Sequence, residues 1–168
     1  MSKTEKNLKD AFAGESQANR KYLAFSKKAE QEGHKRAAKM FRAAAAAETV
    51  HAHSHLRELG AIRSTKENLL DAITGESYEF QNMYPEMIEV AMAEGIQGAI
   101  KSFEYANAVE KVHAALYKKV LEALETDKGR DGGKDFHVCQ VCGYTVEGEA
   151  PDECPVCRSK KQAFTMIQ

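Results

Sequence analysis

The sequence predicts a mainly α-helical fold, a four-helix bundle followed by a small metal-held module, and three observations point to it. Between about residues 8 and 124 the 168-residue chain is rich in Ala, Glu, Lys and Leu, its apolar residues recur at helical spacing, and only Pro85 interrupts. The first half of that stretch is repeated in the second. All four cysteines fall between Cys139 and Cys157, as two C-x-x-C pairs.

Helix boundaries follow from punctuation. Gly33, Gly60 and Gly95 are natural stops, since glycine closes a helix in the left-handed conformation without a Cβ penalty. Ser64-Thr-Lys-Glu67 has the form of a capping box that opens a helix at about Thr65. The expected helices are 7–32, 34–59, 65–94 and 96–125. A glycine-rich polar stretch then marks a linker, so the expected domains are 1–126 and 136–168, joined by 127–135.

Composition narrows the function. Acidic and basic residues nearly cancel, 25 against 24, which removes the electrostatic footprint of a nucleic-acid binder. The first ten residues are polar and charged, without the apolar run of a signal peptide or a membrane span, so a cytoplasmic protein with no membrane partner is expected. In that compartment paired cysteines read as metal ligands rather than disulfides.

The repeat carries the chemistry. Gly14-Glu15-Ser16 recurs as Gly75-Glu76-Ser77, Tyr22 matches Tyr84, Glu32-Gly33 matches Glu94-Gly95, and Glu48-Thr-Val-His51 matches Glu110-Lys-Val-His113, with one residue gained after Glu76. Duplicated packing would repeat Leu and Ala, whereas the repeated positions are polar. Residues three apart share a helix face, so each Glu-x-x-His offers a carboxylate and an imidazole pointing the same way. One such pair occurs by chance in many helices. A bundle contributing Glu15, Glu48-x-x-His51, Glu76 and Glu110-x-x-His113 reproduces the di-iron carboxylate pattern, one Glu from each of two helices and a Glu-x-x-His from each of the others.

Burying several carboxylates without a cation would force some to protonate, so the cluster makes sense with two divalent ions, and an oxygen and imidazole donor set suits iron or manganese. Glu79 breaks the symmetry, since its counterpart in the first half is Gln17 or Ala18. Standing three residues after Glu76 on the same face, it reads as a surplus ligand that could exchange with His51 when iron changes oxidation state, a solvated glutamate being the alternative. Tyr22 and Tyr84 follow Glu15 and Glu79 by one or two turns, where a phenol could hydrogen-bond a ligand or donate a proton, and where plain core filling is the alternative. His53 points away from His51, and His55 is left outside the ligand set.

Beyond the linker, Cys139-Gln-Val-Cys142-Gly-Tyr and Cys154-Pro-Val-Cys157 form two knuckles of two thiolates each, with Phe136, Tyr144 and Phe164 available for a minimal core. A module this small needs metal to fold, and four thiolates hold either zinc or iron.

Taken together, Gly14-Glu15-Ser-Gln-Ala, the two Glu-x-x-His motifs, Gly75-Glu76-Ser-Tyr-Glu79 and the trailing cysteine pairs resemble the rubrerythrins over nearly the whole chain. The resemblance implies a ferritin-like four-helix bundle with a non-haem di-iron centre and a C-terminal rubredoxin-like domain whose single iron is held by Cys139, Cys142, Cys154 and Cys157. It implies a peroxidase of the oxidative-stress defence. Hydrogen peroxide would be reduced to water with electrons drawn from NAD(P)H through partner proteins such as rubredoxin and its reductase. By position, Glu15, Glu48, His51, Glu76, Glu79, Glu110 and His113 would be di-iron ligands, Glu48 and Glu110 the bridges, Glu79 and His51 the exchanging pair, and Tyr22 and Tyr84 the neighbouring tyrosines. One departure stands out. The family's knuckles place glycine after the second cysteine of each pair, as Gly143 does, but Arg158 occupies the second such position, where the backbone must differ or be strained.

Two distances bear on assembly. His113 lies about thirteen residues before the end of the last helix, roughly 20 Å, so the tether must fold back to bring the cysteine site near. The resemblance suggests a homodimer in which the cysteine site of one chain faces the di-iron site of the other. A ferritin-like crossover spans roughly 40 Å, whereas residues 60–64 extend at most about 17 Å, so exchange of hairpins between two chains is expected. An iron-oxidising storage protein, and a non-enzymatic helical module held by zinc, remain the alternative functions at this point.

Overall fold

The computed structural model describes residues 2–126 and 133–167, so most of the expected linker lies outside the described residues. Helix α1 spans Lys3–Gln31 and α2 Lys35–Glu58. Helix α3 spans Thr65–Tyr78, a π-helical segment Glu79–Met83, α4 Tyr84–Ala93 and α5 Gln97–Glu125. The three glycine stops hold: Gly33, Gly60 and Gly95 have φ of 82°, 63° and 72°. Both halves of the capping box are present, with the Ser64 side chain accepting from the Glu67 amide and Glu67 reaching back to the Ser64 amide. Helix α1 begins four residues before its expected start, because the Ser2 side chain caps it by accepting from the Glu5 amide.

The expected third helix is where the structure differs most. It is interrupted at Glu79–Met83, where the Tyr84 amide bonds to the Glu79 carbonyl, one turn widened to hold an extra residue. That is the residue gained in the second half of the repeat. Pro85 follows in the first turn of α4, where a missing amide hydrogen matters least.

The chain divides into two compact units, residues 2–63 and 64–167. In the first, α1 and α2 form a hairpin that buries Ala29, Ala38, Ala45 and Ala52. Small side chains allow the helices close approach, and buried Asn19 ties them by donating to the Ala45 carbonyl and to Thr49 Oγ1 at 2.7 and 2.8 Å. In the second, α3 and α4 lie along α5 and bury Ala91, Val109 and Ala114. The same unit holds the C-terminal module, a three-stranded antiparallel sheet of β1 (Phe136–Cys139), β2 (Thr145–Glu147) and β3 (Phe164–Ile167) in the order β2-β1-β3. Its largest fully buried side chains are Cys139 and Cys154, and Tyr144 meets Phe164 edge to face at 6.3 Å. A core of sulfur and two rings leaves metal binding to supply much of the folding energy. No helix among the described residues is long and apolar enough to cross a membrane.

Candidate metal centres

Each unit assembles one half of the expected carboxylate site. In the first, Glu15 on α1 meets Glu48 and His51 on α2, with ligand atoms all within 4.8 Å of one another. Nδ1 of His51 lies 2.8 Å from Glu48 Oε2, the contact that the three-residue spacing predicts. In the second, Glu76 on α3 meets Glu110 and His113 on α5, again within 4.8 Å, and Nδ1 of His113 lies 2.8 Å from Glu110 Oε2 and 3.9 Å from Glu76 Oε1. Two carboxylates and one imidazole converge in each half, an oxygen-rich donor set that suits iron.

Electrostatics in the second half show how ill at ease these groups are without cations. Burial, then a shared hydrogen bond and the charge of Glu110, push the Glu76 carboxyl up to about 7. Burial acts upward on Glu110 too, but hydrogen bonds from His113 and Glu76 hold it below the usual carboxylate range. The two carboxyls therefore titrate as a pair, with protonation favoured on Glu76 and disfavoured on Glu110. The His113 imidazole is raised by its bond to Glu110. A metal ion would displace these protons, which is the behaviour of ligands rather than of a structural ion pair.

Glu79 opens the π-helical segment. It lies outside the three-residue cluster, yet burial and then the charge of Glu110 raise its carboxyl, so it stands close enough to feel the centre. Tyr84 closes the segment, and burial followed by the charges of Glu110, Glu79 and Glu76 raises its phenol, which keeps its proton. Tyr22 sits instead in an aromatic group, with Phe25 at 6.3 Å and Phe41 at 6.2 Å.

The four cysteines form the third cluster, their sulfurs within 4.8 Å of one another. The two knuckles have matching backbones. The Gly143 amide donates to the Cys139 carbonyl at 2.9 Å as Arg158 does to Cys154 at 3.0 Å, and the Cys139 and Cys154 amides donate to Tyr144 and Ser159 carbonyls at 2.9 and 2.8 Å. Arg158 achieves this by adopting φ 64°, beside 85° for Gly143. The expected strain is therefore real and the knuckle is intact, because the amides of Tyr144 and Ser159 still reach the sulfurs of Cys142 and Cys157. Burial acts upward on the Cys157 thiol, but the Ser159 hydroxyl and amide prevail and bring it down to about 6, while burial pushes Cys142 and Cys154 up. Four thiolates in this geometry suit a tetrahedral ion.

The module meets α5 of its own chain: His113 Nε2 lies 2.9 Å from Thr145 Oγ1, Lys119 pairs with Glu147, and Gly143 lies beside Val109. Within one chain the module thus reaches the half-site carried by α3 and α5. Thr145 and Glu147 alternate onto one face of β2, so both reach the same helix. Sequence reasoning missed Thr145, which carries no metal-ligand signal and lies 32 residues from its partner.

A family model for rubrerythrin matches residues 6–121, and one for the rubredoxin-like domain of rubrerythrin matches 137–165. Among characterised relatives, nigerythrin from Nitratidesulfovibrio vulgaris is 36% identical, with 96% of this chain and 85% of that protein covered. Rubrerythrin-2 from Clostridium acetobutylicum is 33% identical, with 94% and 92% covered, and a rubrerythrin from Porphyromonas gingivalis is 34% identical, with 97% and 89% covered. Solved structures of nigerythrin in a mixed-valence state and in a fully reduced, all-ferrous state are 34% identical, with TM-scores of 0.58 and 0.59 and coverage of 99% of this chain and 88% of theirs.

Proposed function

The chain belongs to the rubrerythrin family, and from that premise we propose that it is a non-haem di-iron peroxidase that reduces hydrogen peroxide to water in the cytoplasm, with electrons relayed through its four-cysteine iron. It carries the family's two iron centres, a di-iron carboxylate site and a rubredoxin-like site. When bound, the iron pair supplies two electrons at one place. The side chains do the rest.

In this reading Glu15, Glu48, Glu76 and Glu110 would neutralise two divalent ions, with Glu48 and Glu110 the carboxylates shared between them and His51 and His113 completing the set that would hold them. Glu79 and His51 would be the pair available to exchange as the oxidation state changes, because a harder anionic oxygen suits ferric iron. Glu79 is supported in this role by its place at the start of a π-helical segment, a local geometry that recurs at functional hinges. Tyr84, whose phenol holds its proton among carboxylates, would give hydrogen bonds or protons to peroxide oxygen, with Tyr22 its counterpart in the first half. Water formation consumes two protons and two electrons per peroxide. Rubredoxin and its NAD(P)H-dependent reductase are the proposed donors.

The observation that carries the peroxidase reading is the contact of the cysteine module with His113: an electron inlet rests against a metal ligand. Iron storage needs no such inlet. The anaerobically reduced protein should react with peroxide much faster than with oxygen and form no mineral; oxygen-driven mineralisation would favour the storage reading instead.

The same proposal includes a homodimer with exchanged hairpins. Its support is the short connection between α2 and α3, residues 59–64, set against a 24-residue α2 about 36 Å long, and the presence of one complete half-site in each unit.

A further inference from the structure

We propose that Thr145 is a positioning residue of the carboxylate centre, whose hydroxyl fixes His113 in the tautomer that leaves Nδ1 for metal and ties that ring to the first cysteine knuckle. The proposal rests on the di-iron reading above.

The hydrogen-bond chain decides the tautomer. Thr145 Oγ1 lies 3.1 Å from the Gly143 carbonyl oxygen and 2.9 Å from His113 Nε2. The Gly143 carbonyl only accepts; with the hydroxyl proton given to it, Thr145 Oγ1 accepts from His113, and the same carbonyl also accepts from the His113 imidazole, so both acceptors call for a proton on Nε2. Nε2 therefore carries hydrogen. Nδ1 is the atom left facing Glu110 at 2.8 Å and Glu76 at 3.9 Å, among the oxygens that would share the metal. An imidazole ligand whose other nitrogen donates to a fixed acceptor is held in orientation and made a better donor.

The first half lacks this device. His51 occupies the equivalent position and makes the equivalent 2.8 Å contact with Glu48, but among the described residues no group accepts from its Nε2, and its side chain is 55% exposed against 27% for His113. The two imidazoles are equivalent in sequence and unequal in constraint. The pinned ring belongs to the half-site under the cysteine module; the free ring is the one assigned to leave the metal when the oxidation state changes. Shape alone does not account for Thr145, since valine would fill the same volume.

The test uses the full chain with Thr145→Val and Thr145→Ser. In the zinc-loaded protein, nitrogen-15 spectra of the imidazoles should show a slowly exchanging Nε2–H on His113, with Nδ1 metal-bound, in the parent and the serine variant, and rapid exchange of that proton in the valine variant. Affinity for ferrous iron, measured by chelator competition, should fall about 10-fold in Thr145→Val and recover in Thr145→Ser. Intact absorption of the four-cysteine iron shows that the valine variant folds. Unchanged exchange and affinity in Thr145→Val, or a serine variant that behaves like valine, would overturn the proposal. Failure of the di-iron reading looks different: the parent's His113 Nδ1 would show no metal coordination at all.

Discussion

The Tyr84 amide donates to the carbonyl of Glu79, five residues earlier, and that one bond marks where the register between the two halves of the chain shifts by one residue. Up to Ser77 the halves match at an offset of 61 residues, and from Tyr84 onward at 62. The surplus residue is absorbed as a π turn between the surplus carboxylate and the tyrosine.

Deleting Gln81 should therefore restore an unbroken α-helix while leaving Glu15, Glu48, Glu76 and Glu110 in sequence. Two irons should still bind, and peroxide turnover should fall about 10- to 100-fold as Glu79 loses its placement. Backbone chemical shifts across residues 76–86, with steady-state turnover, check both halves of the prediction.

Glu110→Ala should abolish the di-iron signal and leave the absorption of the four-cysteine iron. The reason is local: Glu110 bonds both His113 and Glu76, so its removal dismantles one half-site without touching the knuckles. Iron analysis should fall from three atoms per chain to one.

Co-expressing Glu48→Ala chains with Glu110→Ala chains separates exchanged hairpins from unexchanged ones. With exchange, each mixed dimer contains one site built from two intact halves, and about a quarter of the parent's activity should return. Without exchange every site has a broken half, and no activity returns.

The metal-free protein should lose stability as pH rises from 5 to 8. A carboxyl whose folded pKa lies above its unfolded value stabilises the fold at low pH and withdraws that support as pH climbs through the folded value, which for Glu76 is about 7. His113, also raised, acts in the same direction, whereas the lowered Glu110 matters only in more acid solution. Bound metal takes the place of the proton, so at pH 6 adding zinc to the metal-free protein should release protons, roughly one of them from Glu76, and at pH 8 fewer. Denaturation midpoints and proton release in weak buffer measure the two effects.

Arg158→Gly should stabilise the module by about 1 kcal/mol, since a left-handed arginine is strained where glycine is not. Arg158 also lies 3.4 Å from Glu153, an exposed contact worth little, so its loss should not reverse the sign. Slower loss of metal to a chelator is the readout.

Much of this was legible beforehand, because the signals were local. Glycine at 33, 60 and 95 requires no tertiary knowledge to read as a stop, and Ser64 with Glu67 caps its helix from four adjacent residues. The two half-sites were readable because duplication wrote the same polar pattern twice. The π turn was visible only as an inserted residue, since periodicity does not say whether an insertion is looped out or widened into a turn. The cap at Ser2 was missed because the polar residues after it lack an apolar stripe. The Thr145 contact with His113 joins a strand to a helix across a linker, and no pattern within either element announces it.

The most direct test of the central claim is to reduce the iron-loaded protein without oxygen, add stoichiometric peroxide, and follow both iron chromophores. The account predicts rapid oxidation of the di-iron centre, then oxidation of the four-cysteine iron, and recovery of both when a reduced donor is supplied. A four-cysteine iron that stays ferrous while peroxide persists, or a protein holding zinc alone after growth in ample iron, would contradict it.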